Sequence, residues 1–317
     1  MGFHRLLGND QLKKNLTNAL HSGHISHFYL ISGPAGSGRH TLARLLAAAI
    51  LCRGSESPCL SCNVCRKVMS DNHPDFITVD DPEKKTVPVD LIRDARADMY
   101  IQPNEADRKI YLFPRAHDMA EPSQNALLKI LEEPPSYGVF ILLTTNAEQL
   151  LPTVRSRCTE LALAALPEEL LINQLQKEYP QATQETLAAA AARSGGYLGQ
   201  ARTLLEQDDV LPPQTEEFLN SFANKNALEL SKNLLSIEKW KRDQLVPILG
   251  SWIALLEEAL ACRSGMRCLH PITEVLASRR SSQELMHAVS CLQKAADYAQ
   301  SNVSVAAVCG WLSWQLR

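Results

Sequence analysis

The sequence has no uninterrupted run of about 18 uncharged apolar residues, the length needed to span a bilayer. Its first residues, Met1-Gly2-Phe3-His4-Arg5, have no signal-peptide anatomy, so the expected location is the cytoplasm. Basic excess is also missing. The chain has 32 Lys and Arg against 35 Asp and Glu, a net charge of −3 with the two signs interspersed. No segment therefore resembles a basic nucleic-acid-binding arm, and any DNA role must come through partners or a local patch. Aromatic residues are scarce at 6%, yet 45% hydrophobic content over 317 residues excludes a disordered chain. That length allows two or three domains with their own cores. A cytoplasmic setting removes a disulfide framework as the reading of the nine cysteines. Cys158, Cys262, Cys268, Cys291 and Cys309 are scattered and are expected to be small buried hydrophobes.

What is present is alternation. Apolar runs at 28–31, 76–79, 109–113, 139–143 and 160–163 predict five strands. Helical spacing at 12–20, 42–51, 89–100 and 123–133 separates them, which argues for a parallel sheet covered on both faces. Beyond Leu166-Pro167-Glu168-Glu169, a helix start with early proline and first-turn acids, no convincing strand follows. Ala188–Ala192 is a strong helix former ended by Ser194-Gly195-Gly196, and Leu211-Pro212-Pro213 reads as a linker. These breaks place domain boundaries near 165 and 211. The four tryptophans, Trp240, Trp252, Trp311 and Trp314, fall in the last segment and are expected at core or helix–helix contacts.

Between the first strand and its helix lies Gly33-Pro34-Ala35-Gly36-Ser37-Gly38-Arg39-His40-Thr41. A glycine-rich loop there turns backbone N–H groups and a helix N-terminus on one anion. Gly33 and Gly38 keep the spacing of a phosphate-binding loop, with Gly36 between them. Arg39 replaces the lysine that meets the terminal phosphates, and His40 replaces the hydroxyl that holds magnesium. Thr41 comes one residue late, about 100° further round the helix. After the third strand, where an acidic pair would position magnesium and water, stands Pro114-Arg115, with no carboxylate before Asp118. Hydrolysis is not expected from this set. Whether the loop still holds a nucleotide that it does not cleave stays open on the sequence.

Cys52, Cys59, Cys62 and Cys65 follow a C-x6-C-x2-C-x2-C spacing. Four thiolates this close suit a tetrahedral metal, and the run lacks the Cys-Pro that follows in ferredoxin clusters, so zinc is expected over iron–sulfur. With no position left for water and no adjacent base, the zinc would be structural.

Several segments resemble the bacterial clamp-loader family of AAA+ proteins: the loop at 33–41, the cysteine cluster, Asn125-Ala126-Leu127-Leu128-Lys129-Ile130-Leu131-Glu132-Glu133-Pro134-Pro135, Leu143-Thr144-Thr145-Asn146 and Leu151-Pro152-Thr153-Val154-Arg155-Ser156-Arg157-Cys158. The likeness covers about the first 210 residues. It implies an α/β RecA-like AAA+ core with a zinc module at 52–65 (residues 1–165), a small helical lid (166–210) and an all-α C-terminal collar (211–317). It further implies that Arg157, in the Ser-Arg-Cys segment, reaches a neighbouring subunit's ATP as an arginine finger, with Arg155 a lesser candidate. Asn146 matches the family's sensor-1 position. In the sensor-2 segment Gly199 stands where ATP-hydrolysing members place an arginine, and Arg202 is expected at the surface. The implied partners are gamma/tau and delta subunits in a hetero-oligomeric ring, with the sliding clamp and primer-template DNA met through the complex. Two alternatives stay open: an active ATPase using Arg39, Thr41 and Asp118, and a zinc-dependent nucleic-acid-binding module.

Overall fold

The computed structural model describes residues 2–54, 56–206, 211–265, 268, 270–301 and 303–316. They form two compact units, 1–205 and 206–317. After a 3-10 turn, the first unit runs α1 (Asp10–His21), β1 (Phe28–Ser32), α2 (Arg39–Leu51), α3 (Asn63–Met69), β2 (Phe76–Thr78), α4 (Val89–Asp98) and β3 (Lys109–Phe113). It continues with α5 (Glu121–Glu132), β4 (Gly138–Thr144), α6 (Pro152–Arg155), β5 (Thr159–Ala162), α7 (Glu168–Glu178), α8 (Gln184–Arg193) and α9 (Leu198–Glu206). Each strand expected from the sequence is present within a residue or two of its predicted ends.

The strands form one parallel sheet in the order β2-β3-β4-β1-β5. β1, β3 and β4 are buried throughout, which is why they read as continuous apolar runs instead of alternating ones. Their residues divide by face. Tyr29, Ile31, Ile110, Leu112, Ile141 and Leu143 pack with the buried side of α2, whereas Phe28, Leu30, Tyr111, Phe113, Phe140 and Leu142 join a second core with Ile92, Leu127 and Ile130. On that second face Phe140 stacks between Phe28 and Tyr111, with ring centroids 5.0 and 5.1 Å apart. The short edge strand β2 is fixed from its start. Asp75, fully buried, accepts the backbone N–H groups of Asn104, Glu105 and Ala106 at 2.6–2.9 Å. Burial pushes this carboxyl up, but those donors and the Asn104 side chain hold it below the usual range. Helices α7, α8 and α9 share a small core of their own around Leu171, Leu175, Leu187, Ala191 and Ala201.

The second unit is helical among its described residues: α10 (Pro213–Ala223), α11 (Ala227–Ser236), α12 (Arg242–Arg263), α13 (Pro271–Arg279), α14 (Ser282–Gln300) and α15 (Val305–Gln315). By length and composition α12 could cross a membrane, with a mean hydropathy of 1.6 in its most apolar window. Here Leu245, Leu249, Trp252, Leu256 and Ala259 on α12 form the centre of the unit's core. Trp252 stacks on Phe218 at 3.8 Å between centroids and donates its indole N–H to Thr215 Oγ1 at 3.1 Å. Trp240 and Trp311 pack at the core's rim, but Trp314, expected at a contact, is 70% exposed. The scattered cysteines also differ from expectation in part. Cys291 and Cys309 are buried and Cys158 half-buried, while Cys262 and Cys268 are joined in a disulfide. The two positions lie six residues apart in the sequence, with Cα atoms 5.4 Å apart.

Charge closes the start of α14. Glu284 accepts Lys225 Nζ at 2.8 Å and Arg280 Nη1 at 2.9 Å, and completes a capping box with Ser281. Its pKa is pulled down to about 2, first by Lys225 and then by the Ser281 backbone N–H. The stabilisation is complete above the ordinary carboxylate range and disappears as pH falls through the depressed folded value. Thermal unfolding followed from pH 5 to pH 2 is therefore expected to lose stability steeply in the wild type. The loss should be shallower in Glu284→Gln, which has no proton to take up.

Candidate nucleotide site and interface arm

The loop 33–41 leaves β1 at its C-terminal end, and Gly33 donates its N–H to Thr144 O of β4 at 3.2 Å. Gly36 (φ 75°) and Gly38 (φ 97°) adopt left-handed conformations that favour glycine, and Gly38 is the N-cap of α2. The cradle's shape is thus present. The side chains at the lysine and hydroxyl positions differ from the usual pattern. Arg39 opens α2 with one guanidinium nitrogen, Nη1, out of solvent and without a hydrogen bond, and burial lowers its pKa. His40 is pushed down by desolvation, then by Arg44 and Arg39, which favours a neutral imidazole where a hard cation needs oxygen. A cavity of about 320 Å³ lies beside the loop, lined by Arg5, Ser37, Arg39, Thr41, Leu198 and Arg202 among others.

The first turn of α9 meets the loop directly. Gly199 donates its N–H to Gly36 O at 2.9 Å, and Gln200 Nε2 donates to Ala35 O at 3.0 Å. A Cβ at position 199 would lie 2.5 Å from Gly36 Cα, so an arginine cannot occupy this position as the helix now sits. Arg202 is exposed, as expected, and from the surface it lines the cavity and makes a bidentate pair with Glu178 at 2.6 and 2.7 Å. That contact lowers the Glu178 pKa.

After β3, Arg115 occupies the position of the missing acids. Its guanidinium donates to Asp80 Oδ1 at 2.7 Å (Nη2) and 3.0 Å (Nε), and to the carbonyls of Asp81 and Lys84 at 2.8 and 3.0 Å. Asp118, the nearest carboxylate in sequence, is drawn to the same guanidinium at 3.4 Å. Both carboxylates near the strand end are therefore paired to one cation. The sequence offered no signal for Asp80, which comes from a different strand end 35 positions away.

Asn146, expected at the sensor-1 position, accepts Glu148 N–H at 2.9 Å as the cap of the 147–149 turn. The Arg157 arm is built differently. Buried Gln124 accepts Leu151 N–H at 2.7 Å and donates to Met119 and Gln149 carbonyls, fixing the chain that enters α6. Val154 is fully buried, and Cys158 packs against the same core, its thiol pushed up to about 12 chiefly by burial. With its flanks turned inward, Arg157 points out. It donates to Thr153 O at 2.9 Å and stands 4.0 Å from Glu132, both side chains substantially exposed. Arg155 faces Glu160 at 3.9 Å.

The four clustered cysteines converge at the other end of α2. Cys52 is its C-cap, Cys62 is the N-cap of α3, and Cys65 lies in the first turn of α3. All four sulfurs lie within 4.8 Å of one another, with separations of 3.7 Å (52–59) and 3.9 Å (52–62 and 59–65). A tetrahedron of metal–thiolate bonds near 2.3 Å has an edge of about 3.8 Å, so the four could hold a metal ion. Backbone N–H groups of Gly54, Cys62 and Cys65 point at three of the sulfurs at 3.4 Å. The donors around Cys59, led by the Ser61 N–H, pull its thiol down to about 5.

Residues 8–167, half the chain, match the family model described as DNA polymerase III, delta subunit. DNA polymerase III subunit gamma of Buchnera aphidicola (subsp. Schizaphis graminum) is 33% identical over 251 residues, 75% of this chain and 69% of that one. The tau subunits of Bacillus subtilis (31% identical) and Escherichia coli (33%) align over 65% of this chain but only 37% and 32% of their own length. Among solved structures, a gamma subunit-related protein of Thermotoga maritima shares the fold with a TM-score of 0.54 at 19% identity, covering 97% of this chain and 100% of that one. Sheet order, loop and relatives agree: this chain belongs to the DNA polymerase III gamma/tau-type clamp-loader family, with an AAA+ fold.

Proposed function

We propose that this chain is the delta-prime-type subunit of the clamp loader, unable to hydrolyse ATP itself and supplying Arg157 in trans to a neighbouring ATPase subunit. The observation that carries this reading is Arg115. Where a hydrolysing subunit needs free carboxylates for magnesium and water, this chain has a cation paired to Asp80 and Asp118. Arg39, His40 and Gly199 depart in the same direction, whereas Arg157 is intact, exposed and held by an ordered turn. Thr41 is the one hydroxyl in α2, and the carboxylates of Asp80, after β2, and Asp118, after β3, are paired to Arg115. In this reading residues 1–165 are the AAA+ core, 166–210 the lid and 211–317 the collar, with 207–210 outside the described residues. Partners would be gamma/tau and delta subunits, and through them the sliding clamp and primed DNA.

Cys52, Cys59, Cys62 and Cys65 would hold zinc in a structural role, since the donor set is all sulfur and leaves no open position. A bound zinc would tie the end of α2 to α3, a contribution on the order of 10 kcal/mol in small zinc folds. Metal analysis of the purified chain is expected to find about one zinc per molecule. Cys62→Ser should lose the metal and unfold at lower temperature. Iron in place of zinc, or a metal-free chain of equal stability, would contradict the assignment.

The arginine is tested in a reconstituted clamp loader. Arg157→Ala is expected to leave assembly intact on size exclusion but to slow DNA-stimulated ATP turnover. Removing an arginine finger costs about 10³-fold or more at the one site it serves. Unchanged turnover in a correctly assembled complex would remove Arg157 from the mechanism.

A further inference from the structure

The contact between α9 and the phosphate-type loop is a meeting of two backbones. A Cβ on Gly199 would stand 2.5 Å from Gly36 Cα and 3.0 Å from Gly36 O. Reciprocally, a Cβ on Gly36 would stand 2.5 Å from Gln200 N and 2.9 Å from Gly199 C. Two hydrogen bonds run across the approach, Gly199 N–H to Gly36 O and Gln200 Nε2 to Ala35 O. Three residues earlier, Gly196 O accepts the N–H of Leu166, on the connection between β5 and α7. The 196–200 segment is thus attached both to the connection that leads into the lid helices and to the loop. Arg202, through its pair with Glu178, ties α9 to α7, so the attachment is passed to the lid helices together.

We propose that Gly199 and Gln200 form a latch that holds the lid against the loop without any nucleotide between them. The lid's position is then set by the chain's own main chain, and Gly199 and Gln200 are its positioning residues. This rests on the reading of the site as inactive, because a lid that must follow ATP binding and release could not be fixed in this way. Only glycine on both sides permits the approach, so the latch depends on the same substitution that removes the sensor-2 arginine. A local contact of this kind opens and closes independently of the sheet, and amide exchange reads such openings segment by segment.

The test is hydrogen exchange on the full chain, without ATP or partners. In Gly199→Ala the added carbon forces overpacking, which should raise exchange of amides in 34–38 and 196–202 by about 10- to 100-fold. Amides of β1 and β4 should not change. Gln200→Ala, which removes one hydrogen bond and adds nothing, should raise the same segments by roughly two- to tenfold. Gly310→Ala, where nothing lies within 4 Å of the new carbon, is the control. Unchanged local exchange in folded Gly199→Ala overturns the latch, and so does a rise spread evenly over the sheet. If Gly199→Ala fails to fold, Gln200→Ala decides by the same criterion. ATP turnover by the chain would contradict the inactive-site reading but would not register in this experiment, so the two failures are distinguishable.

Discussion

Burial of α2 is the constraint on which the first unit depends. Leu42, Ala43, Leu45, Leu46, Ala47, Ala48, Ala49 and Leu51 are all inside, so the helix has almost no face for solvent. Its partly exposed Arg44 is tied to Asp71 by two hydrogen bonds. A helix this deeply buried must be entered by a tight turn from the centre of the sheet and left by another fixed element. The entry is the glycine loop and the exit is the cysteine cluster. This gives the loop's glycines a role that does not depend on phosphate. The conformation is needed to connect β1 to α2 whether or not an anion binds.

On that frame the electrostatics are inverted from those of a hydrolytic site. Arg39 and His40 stand at the helix start, and Arg115 stands at the strand end where carboxylates belong. Paired with Asp80, Arg115 also bonds the carbonyls of Asp81 and Lys84, so it organises the loop that follows β2. The opposite edge of the sheet is arranged otherwise. Gln124, Val154 and Cys158 hold the 151–158 segment from inside and leave Arg157 outside. One edge of the sheet holds its arginine in a paired network, while the other presents Arg157 exposed, bonded to the Thr153 carbonyl of its own turn.

Much of this was legible in the sequence for identifiable reasons. Strands buried on both faces appear as apolar runs, and cysteines that share a metal appear as close spacing. The inward and outward residues of the Arg157 segment recur as a motif. What could not be read depends on partners distant in the chain. Nothing near Arg115 announces Asp80, and nothing near Gly199 announces Gly36, because glycine has no side chain to signal what it touches. Asp75, a buried acid between Pro74 and Phe76, likewise carries no sequence signal for the 104–106 backbone that donates to it. Trp314 looked like core by residue type alone, and its exposure is a property of which face α15 turns outward.

The central claim is that the nucleotide site keeps its geometry without its chemistry. Magnesium-dependent ATP turnover by the isolated chain, measured to the background of the assay, tests it most directly. The account predicts no turnover above that background. Magnesium-dependent turnover that Thr41→Ala abolishes would contradict it, because the site would then have rebuilt a magnesium ligand from the Thr41 hydroxyl.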